Sequence, residues 1–254
     1  MQYSLVEGVR ARPNPKGRGA CPACGEPTIA KCGSQVVWHW AHDRAAHCDR
    51  WWESETKWHL EWKARFPEEW QEVVKVDSSS NERHIADIET SHGMVIELQN
   101  SPIPERELKA RETFYQRMIW IVNAQHFATS FSLGKALPHP DNPFADAIAI
   151  GKSLRRDNAP ASSKWEKTSE GPKELPYLGY HLFTWRWPRK VWLHATCPVF
   201  LDFGGDDLLW LRRHPTTTRL CVRLVSKQAL IRRNGGDPGA GPYHGTYRGR
   251  PFAG

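Results

Sequence analysis

The run from Asp87 to Gln99 constrains this chain most. Asp87-Ile88-Glu89 and Val95-Ile96-Glu97-Leu98-Gln99 flank a central Ser91-His92-Gly93. Apolar and β-branched residues favour a pleated backbone and Ser-His-Gly supplies a turn, so the stretch reads as a β-hairpin. A side-chain period of two puts Val95, Glu97 and Gln99 on one face of the second strand and Met94, Ile96 and Leu98 on the other. Burying a carboxylate beside an amide costs free energy unless something binds them. Glu97, with Asp87 across the hairpin, therefore invites a hard divalent cation, Mg²⁺ or Mn²⁺. The competing reading puts both acids on the wet face of a two-sided sheet.

The chain has 254 residues and a formal charge of +7, enough length for one large domain or two small ones. No apolar run approaches the roughly 18 residues of a membrane span and no charged-then-apolar leader opens the sequence, which predicts a soluble, cytoplasmic protein with no membrane partner. From Leu208 onward nine Lys or Arg face the single acid Asp237. Basicity so concentrated suits contact with a polyanion such as DNA. Of six cysteines, Cys197 and Cys221 stand alone in apolar surroundings and read as packed thiols. Most of the thirteen tryptophans read as core, with a few free to stack on bases.

The other four cysteines cluster near the start. Cys21-Pro22-Ala23-Cys24-Gly25 is a knuckle, followed by His39-Trp40-Ala41-His42 and by His47-Cys48. Zinc takes four soft or borderline ligands in a tetrahedron, and a CxxC with a later His/Cys pair supplies them. Cys21, Cys24, His42 and Cys48 are the favoured set for a structural Zn²⁺, with His39 as first alternate and His47 also in competition.

Trp51 to Phe66, stopped by Pro67, predicts one helix, with Glu55, His59 and Lys63 on one face and Trp51, Trp58, Trp62 and Phe66 as an apolar stripe. Strands follow at 72–77, 83–89 and 94–99. A helix then begins at Ser101-Pro102 or at Pro104 and continues to about Arg117, and a buried strand spans 119–122. The order is α-β-β-β-α-β, whose end implies a parallel crossover. It is the core order of PD-(D/E)XK nucleases, whose metal is held by an acid followed by an acid-x-polar strand.

These residues resemble the competence protein CoiA-like family of predicted nucleases. The resemblance rests on Cys21-Pro-x-Cys24, His39-Trp40-Ala41-His42, Cys48, Glu55-x3-His59-x3-Lys63, Ala86-Asp87-Ile88, Ile96-Glu97-Leu98-Gln99-x-Ser101 and Arg111-x3-Tyr115. It covers roughly residues 1 to 125. It implies a zinc-bearing N-terminal module, a restriction-endonuclease-like core dependent on Mg²⁺, and work on DNA in recombination or uptake, with recombination proteins as partners. Trp40 stands where the family has Phe, and Gln99 where the broader fold has Lys. Gln99 can hydrogen-bond a water or a phosphate oxygen but carries no charge, so either the metal alone lowers the pKa of the attacking water, or Lys63 or His59 supplies proton chemistry. On this reading Asp87 and Glu97, with the Leu98 carbonyl, ligate the cation. Glu55 holds a second ion or orients a water, Gln99 positions the nucleophile, and Arg111 with Tyr115 either contacts a phosphate or caps the sheet.

The expected domains are a zinc-binding module at 1–50, the α/β nuclease core at 51–140, a linker at 141–178, a β-rich basic accessory region at 179–234 and a disordered tail at 235–254. In the accessory region Val199 to Phe203 and Leu208 to Arg212 read as a hairpin about Gly204-Gly205, with Leu220 to Val225 as a third strand. That region either grips nucleic acid or packs on the core. Two functions follow: a metal-dependent deoxyribonuclease, directed at recombination or at foreign DNA, or a non-catalytic zinc-containing nucleic-acid adaptor.

Overall fold

The computed structural model describes residues 1–34, 37–43, 48–141 and 176–241. Its first layer is an antiparallel sheet of β1 (Ser4–Val6), β2 (Val9–Ala11), β3 (Arg18–Ala20), β4 (Pro27–Lys31) and β5 (His39–His42), in the order β2-β1-β3-β4-β5. The N-terminal module is thus a small sheet carrying the knuckle. Short strands punctuated by Pro and Gly give too weak a period for all five to be seen. Its core residues Met1, Cys21, Ala23 and Trp40 pack against Val74 and Ile85 of the second sheet.

The expected order follows as α1 (Lys57–Lys63), β6 (Gln71–Val76), β7 (Arg83–Glu89), β8 (Val95–Gln99), α2 (Glu105–Tyr115) and β9 (Met118–Asn123). β7 and β8 form the antiparallel hairpin, its turn closed at Gly93 with φ +71°. β8 and β9 are parallel, joined by the α2 crossover. Alternation sorts the core. Val95, Trp120 and Val122 pack in one cluster with Leu108 and Tyr115 of α2, while Ile96, Leu98, Ile119 and Ile121 pack in another with Trp58 and Trp62 of α1. A strand buried on both faces is what a parallel sheet demands.

The C-terminal half corrects the expected domain plan. β10 (Phe131–Ala136), β11 (Tyr180–Trp185), β12 (Val199–Asp202), β13 (Asp207–Arg213) and β14 (Leu220–Ser226) all join the same sheet, whose order is β10-β11-β14-β13-β12-β9-β8-β7-β6. The hairpin β12–β13 and the third strand β14 form where the sequence placed them. They do not form a separate accessory region, because β12 pairs in parallel with β9 at the centre of the sheet. Among the described residues α3 (Lys227–Arg233) completes the fold, and its Leu230 and Ile231 join the α1 cluster. The expected linker falls almost wholly, over 142–175, outside the described residues.

Residues 235–241, assigned to a disordered tail, instead dock on the end of α1. Asp237 N donates to the Arg65 carbonyl at 2.8 Å. A Cβ at Gly236 would meet that carbonyl at 2.6 Å, so the approach needs glycine. The remainder of that tail lies outside the described residues, and no described helix is long and apolar enough to cross a membrane.

Helix α1 is shorter than predicted. Thr56, not a residue near Trp51, is its N-cap: the hydroxyl accepts from His59 N and the His59 ring accepts from Thr56 N, a capping box with His in the usual Glu place. Trp51 consequently lies in a turn after Asp49, and Trp52 to Glu55 lie outside any helix or strand.

The two sheets are stitched by Glu72, which is buried and holds the left-handed φ of +47°. Its carboxylate accepts from Gln2 N at 2.7 Å, from Tyr3 N at 3.2 Å and from Lys63 Nζ at 3.1 Å. Burial opposes its ionisation, but Lys63, the N-terminal ammonium and the Gln2 amide outweigh this and bring it down to about 2. A depressed carboxylate contributes stability that is present above its unfolded value near 4.5 and is lost as pH falls toward 2. Glu72→Gln should therefore lower unfolding free energy at pH 7 by on the order of 3 kcal/mol. In urea titrations across pH the gap from wild type should close between about 4.5 and 2.

Candidate functional site

Two clusters of polar side chains lie on either side of one irregular strap. The first forms where β3 ends. Cys21 N donates to the Glu26 carbonyl and Gly25 N to the Cys21 carbonyl, with Gly25 at φ +77°, which curls Cys21 to Cys24 into a knuckle. His42 closes β5 and Cys48 begins the strap. The ligand atoms of Cys21, Cys24, His42 and Cys48 all lie within 4.8 Å of one another. Cys21 and Cys48 are 3.7 Å apart, sulfur to sulfur, and Cys24 Sγ is 3.4 Å from His42 Nε2. The Cys48 thiol bonds to Cys21 and brings it down to about 5, while Cys48, bonded to the Cys21 sulfur and desolvated, is pushed up. The protons held by these crowded sulfurs are what a cation would displace.

Three sulfurs and one imidazole nitrogen form a closed set that could hold a metal such as zinc. It is the favoured ligand set. His39, the alternate, turns its Nδ1 to the Val37 carbonyl at 2.9 Å, and His47 lies outside the described residues. Among the described residues this is the one group of three or more His, Cys, Asp and Glu with ligand atoms so gathered.

From Cys48 the strap crosses to the N-cap of α1, pinned at nearly every step. The Asp49 carboxylate accepts from Trp51 N, His84 Nδ1 and Ile85 N at 2.8 to 2.9 Å. The Trp51 ring stacks on His84, centroids 3.2 Å apart, and the Trp51 carbonyl accepts from Arg111 at 2.7 Å. Glu53 Oε2 accepts from Gln99 Nε2 and from Asn100 N, both at 3.2 Å. The strap thus walls a polar cavity that Asp49, Glu53, Glu55, His59, Asp87 and Glu97 also line.

Asp87 and Glu97 face each other where the hairpin ladder stops at Ile88 and Ile96. Their carboxylates replace the missing backbone bonds: Glu97 accepts from Asp87 N at 3.3 Å and Asp87 from Leu98 N at 2.9 Å. Both are also claimed by cations. Arg111 of α2 reaches Glu97 at 2.9 Å, and Lys63 of α1 reaches Asp87 at 2.9 Å and Glu55 at 2.5 Å. The acids are therefore brought to one cavity but divided between two helices. Glu97, 2% exposed, is pushed up to about 7 by burial and by the charge of Asp87, against the pull of Arg111.

Among the described residues, three buried side-chain oxygens of the strap and β8 are without a partner: Glu53 Oε1, Glu55 Oε2 and Gln99 Oε1. Gln99 spends its amide nitrogen on Glu53 and Ser101, so only an acceptor is left to face a ligand. His59 Nε2 lies 3.2 Å from the Leu98 carbonyl and 3.8 Å from Glu53. Burial would lower His59, but Glu53, Asp87 and Glu55 outweigh it and favour the protonated ring. Lys63 is 1% exposed, and the three carboxylates overcome its burial to hold it charged well above the ordinary value. It cannot serve the proton-transfer role open to it from sequence. Arg111 is 5% exposed and committed to Glu97, Glu107 and Trp51, and Tyr115 is buried against Trp51 and Phe114, so neither is set out to meet a phosphate.

Sequence reasoning missed Asp49, Glu53 and Glu72. Glu53 lay inside the over-long helix, and Glu72 was read as an ordinary strand start. The signal available for the strap was Thr56 with a hydrogen-bonding residue three positions on.

Residues 16–50 match the family model described as the N-terminal domain of competence protein CoiA. That stretch contains Cys21, Cys24, His42 and Cys48. No curated protein and no solved structure matches the chain. Purified protein should carry about one zinc per chain by elemental analysis. Cys48→Ser and His42→Ala should lose it, while His39→Ala should keep it.

Proposed function

We propose that the chain is a divalent-metal-dependent nuclease that hydrolyses DNA phosphodiester bonds in the manner of PD-(D/E)XK enzymes. The observation that carries this reading is the pair of partnerless buried oxygens, Glu53 Oε1 and Glu55 Oε2, in the cavity with Asp87 and Glu97, with a third, Gln99 Oε1, two residues along the strand from Glu97. Unpaired buried acceptors cost free energy and call for a cation or a donor. Carboxylate and amide oxygens are the hard donors that Mg²⁺ and Mn²⁺ take. The element order α1-β6-β7-β8-α2-β9 and the likeness of residues 16–50 to the CoiA N-terminal domain support it further.

Asp87, Glu97 and Glu55 would hold the cation, with the oxygens of Glu53 and Gln99 at its margin. Bound there, a divalent ion would offset phosphate charge and acidify an attacking water. Other groups in the cavity have their own tasks. Lys63 fixes the positions of Glu55 and Asp87, and Arg111 fixes that of Glu97. His59, with Nε2 3.2 Å from the Leu98 carbonyl and 3.8 Å from Glu53, would fix the strand edge beside the cation. Arg212, Arg213, Arg219 and Arg223 lie on or just before β13 and β14 in the same sheet, and supply positive charge for a nucleic-acid backbone.

One observation favours a second reading. Lys63 and Arg111 already pair with all three acids, and carboxylates occupied by the chain's own cations suit a non-catalytic, zinc-containing nucleic-acid adaptor. Incubation with labelled single- and double-stranded DNA, with Mg²⁺, with Mn²⁺ or with EDTA, separates the two. The nuclease reading expects cleavage with metal and none with EDTA. Glu97→Gln should cut the rate on the order of a thousandfold with an unchanged circular dichroism spectrum. Binding without cleavage in any metal would leave the adaptor.

A further inference from the structure

The strap exposes one aromatic ring at the cavity, and its setting is unlike that of its neighbour. Trp51 and Trp52 are adjacent, yet Trp51 is 8% exposed and stacked on His84, whereas Trp52 is 53% exposed and lines the acidic cavity. A lone surface indole is ordinary. Here the chain on either side of the indole is held. Asp49 fixes the turn before it, accepting from Trp51 N while Trp52 N reaches the Asp49 carbonyl at 3.3 Å. Glu53 fixes the backbone after it through Asn100. A ring presented on a pinned backbone loses little freedom when something stacks on it.

The cavity restricts what that something is. Glu53, Glu55, Asp87 and Glu97 line it, so an anion entering there gains nothing from unaided charge attraction. An occupant must bring a flat face that binds the indole independently of charge, joined to a group that can reach the acids with a cation. A nucleotide has both parts, a base with a π-face and a phosphate. A base inside a duplex offers no free face, so the ring can be used only by an unpaired base.

We propose that Trp52 is the stacking platform for an unpaired nucleobase next to the site of cleavage, so that the substrate enters as single-stranded or frayed DNA. This rests on the nuclease reading and goes beyond it by setting the form of the substrate. Stacking on an aromatic side chain gives about 1–3 kcal/mol per base whatever the base, so the preference is for strandedness rather than sequence.

The test is fluorescence anisotropy of the full chain, with Ca²⁺ present, against a labelled oligothymidylate, an abasic strand of equal length and a blunt duplex. Trp52 is exposed, so its variants should fold, and circular dichroism checks this. Trp52→Ala and Trp52→Leu should weaken oligothymidylate binding about tenfold. Trp52→Phe should stay within about twofold of wild type, and none of the three should alter affinity for the abasic strand or the duplex. Leucine keeps the apolar contact without the π-face, so full retention by Trp52→Leu overturns the stacking role. So does unchanged oligothymidylate binding in Trp52→Ala, or an equal loss on the abasic strand. If wild type binds none of the three DNAs, the nuclease reading itself fails and this inference goes with it. If wild type binds DNA and Trp52 proves indifferent, only the inference fails.

Discussion

The ammonium of Lys63 is the interaction on which the rest depends. It is buried, charged, and in contact with carboxylates from three separate stretches: Glu55 on the strap, Glu72 at the start of β6 and Asp87 on β7. A buried cation is tolerable only when opposite charge surrounds it, and each of those acids is in turn tolerable only because the cation is there. The arrangement therefore specifies geometry more than it adds stability. α1 can sit in only one register against the hairpin, since a shift of one residue would turn Lys63 out of the cluster. Glu72 carries the constraint outward, because its second duty is to the backbone of Gln2 and Tyr3, which fixes the N-terminal sheet. The left-handed backbone at Glu72 is strain accepted to aim that carboxylate at both partners.

Asp202 plays the matching part for the C-terminal half. It ends β12, is fully buried, and accepts from the indoles of Trp58 and Trp62 at 3.0 and 2.8 Å and from Lys227 at 2.9 Å. One carboxylate thereby joins the central parallel strand to α1 and to the start of α3. The face of α1 that carries His59 and Lys63 is thus held from behind by residues some 140 positions away in sequence. This explains why the C-terminal strands cannot be a detachable module. Removing them would take away the strand beside β9 and leave two tryptophan N–H groups of α1 without an acceptor.

What could be read from the sequence follows the strength of the local signal. β7 at Arg83–Glu89 and β8 near its predicted bounds have strong alternation or β-branched content, and the turn at Ser91-His92-Gly93 has a residue suited to positive φ. The ligand set Cys21, Cys24, His42 and Cys48 was legible because few other residue types could complete it. The helix start was not, because Trp51 to Glu55 are acceptable helix residues and only the capping bonds of Thr56 exclude them. The joining of β12 to β9 was invisible for another reason. Pairing of strands across the stretch between 123 and 199 is decided by burial of whole faces, and no local pattern encodes it. The partners of charged residues were the least accessible. From sequence Arg111 could either contact a phosphate or cap the sheet, and only its depth against Glu97 shows how its charge is spent.

The strap between Cys48 and Thr56 connects these lessons to the chemistry. A helix there would have hidden Glu53 and Trp52 on a regular surface and would have carried Glu55 through the first turn, away from Asp87. The irregular backbone does the opposite: Trp51, in the turn after Asp49, packs on His84 while Trp52 is left exposed beside the acids. The segment's own bonds are those of the turn at Asp49, which accepts from Trp51 N and from Trp52 N, so the rest of its position must be supplied from outside. The sources are the sulfur cluster at one end, Asp49, Arg111 and Asn100 along its length, and the N-cap at the other. The irregular stretch is therefore as closely fixed as a strand. Since its first residue is a ligand of the sulfur cluster, anything that loosens that cluster should slacken the cavity wall before it disturbs the sheet.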